Sequence, residues 1–121
     1  MSYFISQKTD QGWRISPDVL LPKLRQHWPG VMVKEIRDVE RRYSHEWIIT
    51  HPSGRLEGML SRKQTAVVLE GPHEAIAAFV TWFEAELSPA DHSLILYDES
   101  FARVVPLRGQ TPIAEIVAVF C

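Results

Sequence analysis

The feature that most constrains this chain is residues 71–87, GPHEAIAAFVTWFEAEL, an amphipathic helix with a well-marked start. Gly71 suits the N-cap. Pro72 suits the first helical position because it has no N–H to leave unpaired, and Glu74 lies where a negative charge favours a helix N-terminus. At 100° per residue Ile76, Phe79, Val80, Phe83 and Leu87 share one face, Ala75 and Trp82 flank it, and Glu74, Thr81 and Glu84 fall on the far side. Burying each large side chain stabilises the fold by roughly 1.5 to 3 kcal/mol, an upper estimate because the unfolded chain already hides part of that area. A helix with so wide an apolar face has to lie on a sheet.

The sheet is legible on both sides of it. Residues 1–7 carry Tyr3, Phe4 and Ile5 and suggest a first strand, followed by a polar turn at residues 9–12. Ser16 before Pro17 and Asp18 marks a helix start. Leu21, Leu24 and Trp28 continue its stripe until Pro29-Gly30, although Pro22 leaves open a short turn with the helix proper beginning near Leu20. Residues 31–36 are β-branched enough for a strand, and the charged run 37–42 connects it to a three-strand meander at 45–50, 55–60 and 65–70.

The turn His51-Pro52-Ser53-Gly54 sets a register in which Thr50 faces Arg55, Ile49 faces Leu56, Trp47 faces Gly58 and His45 faces Leu60. Extended across Arg62-Lys63, it sets Leu60 by Thr65, Gly58 by Val67, Leu56 by Leu69 and Arg55 by Glu70. After the central helix, which Ser88-Pro89 ends, residues 93–97 and 103–107 form two more strands, with Pro106 favouring an edge. Thr111-Pro112 then caps a closing helix with an Ile113, Ile116, Val117 and Phe120 stripe. The order β-α-β-β-β-β-α-β-β-α defines an α+β fold, a single domain over residues 1–121 with a largely antiparallel sheet and about three helices.

Composition narrows function by exclusion. Thirteen Lys and Arg against fifteen Asp and Glu give a net charge of −2 and no basic stripe, so nucleic acid is not expected as a partner. No run approaches the roughly 20 apolar residues of a membrane span, and the first ten residues lack a signal-peptide pattern, so a cytoplasmic protein is expected. The single cysteine, Cys121, excludes an internal disulfide, and as a nucleophile it would need a depressed pKa and a base, a geometry that a frayed terminus seldom holds. His45 and His51 would lie about 20 Å apart on an extended strand, and no HxH or HExxH pair exists, so neither a metal nor another cofactor is expected. Asp91-His92-Ser93 holds the letters of a hydrolase triad, but consecutive residues cannot present themselves to one another as nucleophile and base, and it reads as a loop. Asp98-Glu99 reads as a solvated turn, and no glycine-rich phosphate loop is present.

What remains points to binding. Trp28 and Trp47 have periodic positions, whereas Trp13, beside Arg14, stands in a polar loop and Trp82 on a helix flank; these are candidate contacts. The far side of the meander carries Ile48, Met59, Ala66 and Val68 as an apolar strip between charged margins. Either a terminal helix crosses behind it, or it faces a partner or a second copy of the chain. The series EWIITHPSGRLEGML, GPHEAIAAFVTWFEAEL, LILYDES and a Thr-Pro helix resembles small bacterial α+β proteins of the toxin-immunity type, over residues 46–120. That resemblance implies a small protein that acts by binding another protein; it transfers no site. The expectation is a non-catalytic protein-interaction module with candidate surface residues Trp13, Arg14, Ile48, Met59, Val68 and Trp82. The alternative is a small-ligand binder or an enzyme built from isolated polar groups.

Overall fold

A computed structural model describes residues 2–9, 11–87, 89 and 93–120. The expected helix stop at Ser88, the Asp91-His92 loop and Cys121 lie outside the described residues. The chain runs β1 (Tyr3–Gln7), α1 (Pro17–His27), β2 (Met32–Glu35), β3 (Tyr43–His51), β4 (Gly54–Ser61), β5 (Ala66–Glu70), α2 (His73–Leu87), β6 (Leu94–Asp98), β7 (Val104–Pro106) and α3 (Ile113–Val117), and ends in a 3-10 turn over Ala118–Phe120. The strands form one antiparallel sheet in the order β2-β3-β4-β5-β1-β6-β7. The α+β class, the element order and the edge position of Pro106 are therefore as the sequence predicts. The central insertion of β1 between β5 and β6 is not visible in hydrophobic pattern, because pattern fixes which face a strand buries and not which neighbours it takes.

The β3–β4 register is the expected one, with Trp47 opposite Gly58, Ile49 opposite Leu56 and Thr50 opposite Arg55. A side chain at Gly58 would put its Cβ 2.2 Å from Trp47 Nε1, so the indole occupies the space that only glycine leaves. The β4–β5 register differs by two residues: Leu60 pairs with Val67, Gly58 with Leu69 and Glu57 with Glu70. The turn is longer than Arg62-Lys63 alone, taking in Gln64 at φ 63°, while Ser61 Oγ accepts the Thr65 and Ala66 N–H groups at 3.0 Å each. A slip of two preserves the faces but removes the expected Arg55–Glu70 pair; Arg55 instead meets Glu57 on its own strand at 3.1 Å.

All three helices send their buried residues into one cluster on the Trp47 face. There Leu20 and Leu24 of α1, Phe79 and Phe83 of α2, and Ile116 of α3 meet Ile5, Ile49, Leu56, Leu60, Val67, Leu69 and Leu96. Among the described residues no terminal helix crosses behind the sheet. The α1 helix starts at Pro17 with Ser16 Oγ accepting the Asp18 N–H at 3.1 Å, and it runs through Pro22 without a break. The α2 helix begins at His73, one residue after the expected first position Pro72. Gly71 is needed for a different reason: at φ +150° it crosses β4 so closely that a Cβ would lie 2.8 Å from the Arg55 carbonyl.

Two helix readings need correction. Glu84 is not on a solvent side but is buried at 3% exposure. Its carboxylate accepts the Gly109 N–H at 2.8 Å, the Thr111 N–H at 3.1 Å and the Thr111 hydroxyl, fastening the loop after β7 to α2. Thr111 is thereby occupied and provides no side-chain cap for α3. In the closing segment Ile116 and Val119 are buried and Phe120 half-buried, whereas Ile113 and Val117 of the α-helix itself are exposed, so the expected stripe is only partly turned to the core.

Candidate functional site

Over the other face of the sheet there is no helix among the described residues. The registers place Met59 of β4, Val68 of β5, Phe4 of β1, Tyr97 of β6 and Val104 of β7 opposite one another in turn, an apolar row across five adjacent strands. At about 4.8 Å per strand the row spans roughly 19 Å. Beside it Met32 pairs with Ile48. Val68, enclosed by its neighbours, is only 3% exposed but lies outside the main core cluster, as does Ile95; Met32 is 68% exposed.

Aromatic rings extend the row. Phe4 stacks on Tyr97 with centroids 5.3 Å apart, and Tyr97 stacks on Phe101 at 4.3 Å. Phe101 has φ 57°, a conformation costly for a bulky residue, and the residue is 61% exposed. Buried Asp98 holds this turn: its Oδ1 accepts from Ser100 Oγ at 3.1 Å and from the Ala102 N–H at 3.0 Å. The backbone is thus bent to lay an aromatic ring on the open face.

The two ends of the row's strands carry opposite charge. At the end where β3 begins and β4 finishes, a cleft of 490 Å³ has Phe4, Ala66 and Val68 against Tyr43, with Arg41, Arg42, Arg62 and Lys63 around it and no carboxylate in its lining. A bulge between Tyr43 and His45 opposes Tyr43 to Ser61, which turns its ring to the open side. Arg62 is a structural clamp, donating to the carbonyls of Ile36, Asp38, Arg41 and Tyr43 at 2.8 to 3.1 Å and so fixing the 36–43 loop. Arg41, Arg42 and Lys63 remain exposed at the rim. At the other end Glu57 faces Glu70 directly, and Ser2 bridges Glu70 to Glu99 by hydrogen bonds from its hydroxyl and its N–H. Like charges directly opposite destabilise a sheet unless something compensates them.

The residues singled out from sequence divide between the faces. Ile48, Met59 and Val68 do lie together on the open side. Trp13 is half-buried at the basic end, edge-on to Phe83 at 6.4 Å, and with Arg14, Lys63 and Tyr97 it lines an adjoining cleft of 480 Å³. Trp82 does not join them. It is buried in the helix layer against Trp28, Phe79 and His27, so its bulk is core and not a free contact. Phe4, Tyr97, Phe101 and Val104 were missed. The alternation of Tyr3, Phe4 and Ile5 could have assigned Phe4 to the opposite face, but only the central position of β1 connects it to Val68.

Among the described residues no group of His, Cys, Asp and Glu side chains is arranged to hold a metal ion, and no helix is long and apolar enough to cross a membrane. The class defined by the architecture is an α+β domain with helices on one side of a seven-stranded antiparallel sheet. Comparison with family models, with curated proteins and with solved structures found no match.

Proposed function

We propose that this chain is a non-catalytic, cytoplasmic protein-interaction module that docks protein through the open face of its sheet. The observation that carries the reading is the cross-strand row Met59–Val68–Phe4–Tyr97–Val104, uncovered by any helix among the described residues and bounded by a basic and an acidic end. An apolar centre with a charged rim is the anatomy of a protein interface. The resemblance of the sequence to toxin-immunity proteins supports an action by binding, in which the chain covers part of another protein.

The test is the pair Phe4→Glu and Met59→Glu in one chain. The variant is expected to keep the native circular dichroism spectrum while losing association, read as molar mass in light scattering and as partners recovered after cross-linking. A folded variant with the native mass and the native set of cross-linked partners contradicts the reading. The basic cleft favours a second reading, a small anion with a flat apolar body. Calorimetric titration with an aromatic carboxylate would show it as one-to-one binding abolished by Arg42→Glu.

A further inference from the structure

We infer that the partner this face fits is a second copy of the chain, stacked about a two-fold axis that runs along the apolar row. The inference rests on the reading of the open face as a protein interface and names its occupant. When two identical faces are stacked, a two-fold axis relating them lies in the plane between them. An axis along the row keeps Met59, Val68, Phe4, Tyr97 and Val104 against the same row of the other copy. It also reverses the strand direction, so the basic end of each copy lies over the acidic end of the other.

Three features of the open face are then used together. Glu57, Glu70 and Glu99, aligned by the β4–β5 pairing and by Ser2, meet Arg41, Arg42 and Lys63. The balance of charge at each end survives its local pairs. Arg55 is taken by Glu57 at 3.1 Å, and Glu70 and Glu99 have no ion pair among the described residues, while Asp38 and Glu40 are outnumbered at the other end by Arg37, Arg41, Arg42, Arg62 and Lys63. The exposed residue Phe101, held over Tyr97 by a strained turn, gains a surface to cover. Seven strands about 4.8 Å apart and five residues long project roughly 600 Å² per copy, and the 36–43 and 99–103 loops bring this near the roughly 800 Å² per partner of a standard interface.

The experiment is a charge exchange. Arg42→Glu with Lys63→Glu makes both ends of one variant acidic; Glu70→Lys with Glu99→Lys makes both ends of a second variant basic. Sedimentation equilibrium of the native chain is expected to show a dimer. Each variant alone should dissociate with a dimer constant weakened at least about tenfold, and an equimolar mixture should recover a dimer that native mass spectrometry identifies as mixed. A native chain that stays monomeric at high micromolar concentration overturns the inference. If that monomer still loses a cross-linked partner on Phe4→Glu, self-pairing fails while the open-face reading stands. A dimer indifferent both to the charge exchange and to Phe4→Glu defeats the two together.

Discussion

The two faces of this sheet are made from alternate residues of the same strands, yet they follow different rules. On the closed face Trp47, Ile49, Leu56, Leu60, Val67 and Leu69 are all essentially inaccessible, and helices α1, α2 and α3 supply the matching surface. On the open face an apolar row crosses five strands, with Glu57, Glu70 and Glu99 on one side and Arg41, Arg42 and Lys63 on the other. A face filled with apolar side chains specifies folding. A face that is apolar in a stripe and charged at its margins specifies a contact that has to remain soluble until it is made.

Perturbing the closed face should produce the largest effects. Gly58→Val should cost about 3 kcal/mol, the upper end of overpacking penalties, because a Cβ would already stand 2.2 Å from the indole of a buried tryptophan that stacks on Phe79. A denaturant midpoint equal to that of the native chain would show that Trp47 moves aside freely and that this face is not close-packed. The indole Nε1 has no hydrogen-bond partner among the described residues, so the ring is held by packing alone.

A smaller effect is expected where the helix layer holds a loop. Glu84→Gln keeps one carbonyl acceptor but loses the charge that strengthens three hydrogen bonds to Gly109 and Thr111, and about 1 to 2 kcal/mol should be lost in urea unfolding. No loss at all would mean that the loop after β7 is not anchored through α2.

The smallest is a pH effect at the rim of the closed face, where burial, and then the charges of Asp98 and Glu99, push the Tyr3 hydroxyl above its usual value of 10.0. A raised acid group binds its proton more tightly in the folded chain. Its contribution is therefore complete below pH 10 and is lost as pH rises through the folded value. Stability measured across this range should fall more steeply in the native chain than in Tyr3→Phe; parallel curves would remove Tyr3 as the cause.

The sequence made the closed face readable because its signals are local. The α2 stripe, the Ser16 start of α1 and the pairing of Trp47 with Gly58 each depend on residues within one element or one short turn. The open face was readable only in part. Ile48, Met59 and Val68 follow from the alternation within the meander, but Phe4, Tyr97 and Val104 join them through the placement of β1 between β5 and β6, a long-range choice that leaves no periodic mark. Glu84 was misread for a related reason. A charged residue on a helix belongs with solvent by default, and here a loop 25 to 27 residues further on supplies the N–H groups that make its burial tolerable. The β4–β5 slip came from Gln64, whose positive φ lengthens a turn in a way that composition does not disclose.

The division of labour between the faces can be tested on neighbouring residues of β4. Leu60 is wholly buried under the helices, and Met59 lies in the open row. Urea unfolding of Leu60→Glu and Met59→Glu, at a protein concentration low enough to exclude association, should show Leu60→Glu unfolded without denaturant and Met59→Glu within about 0.5 kcal/mol of the native chain. Equal collapse of both variants would mean that the second face is also part of the core, and would contradict the account.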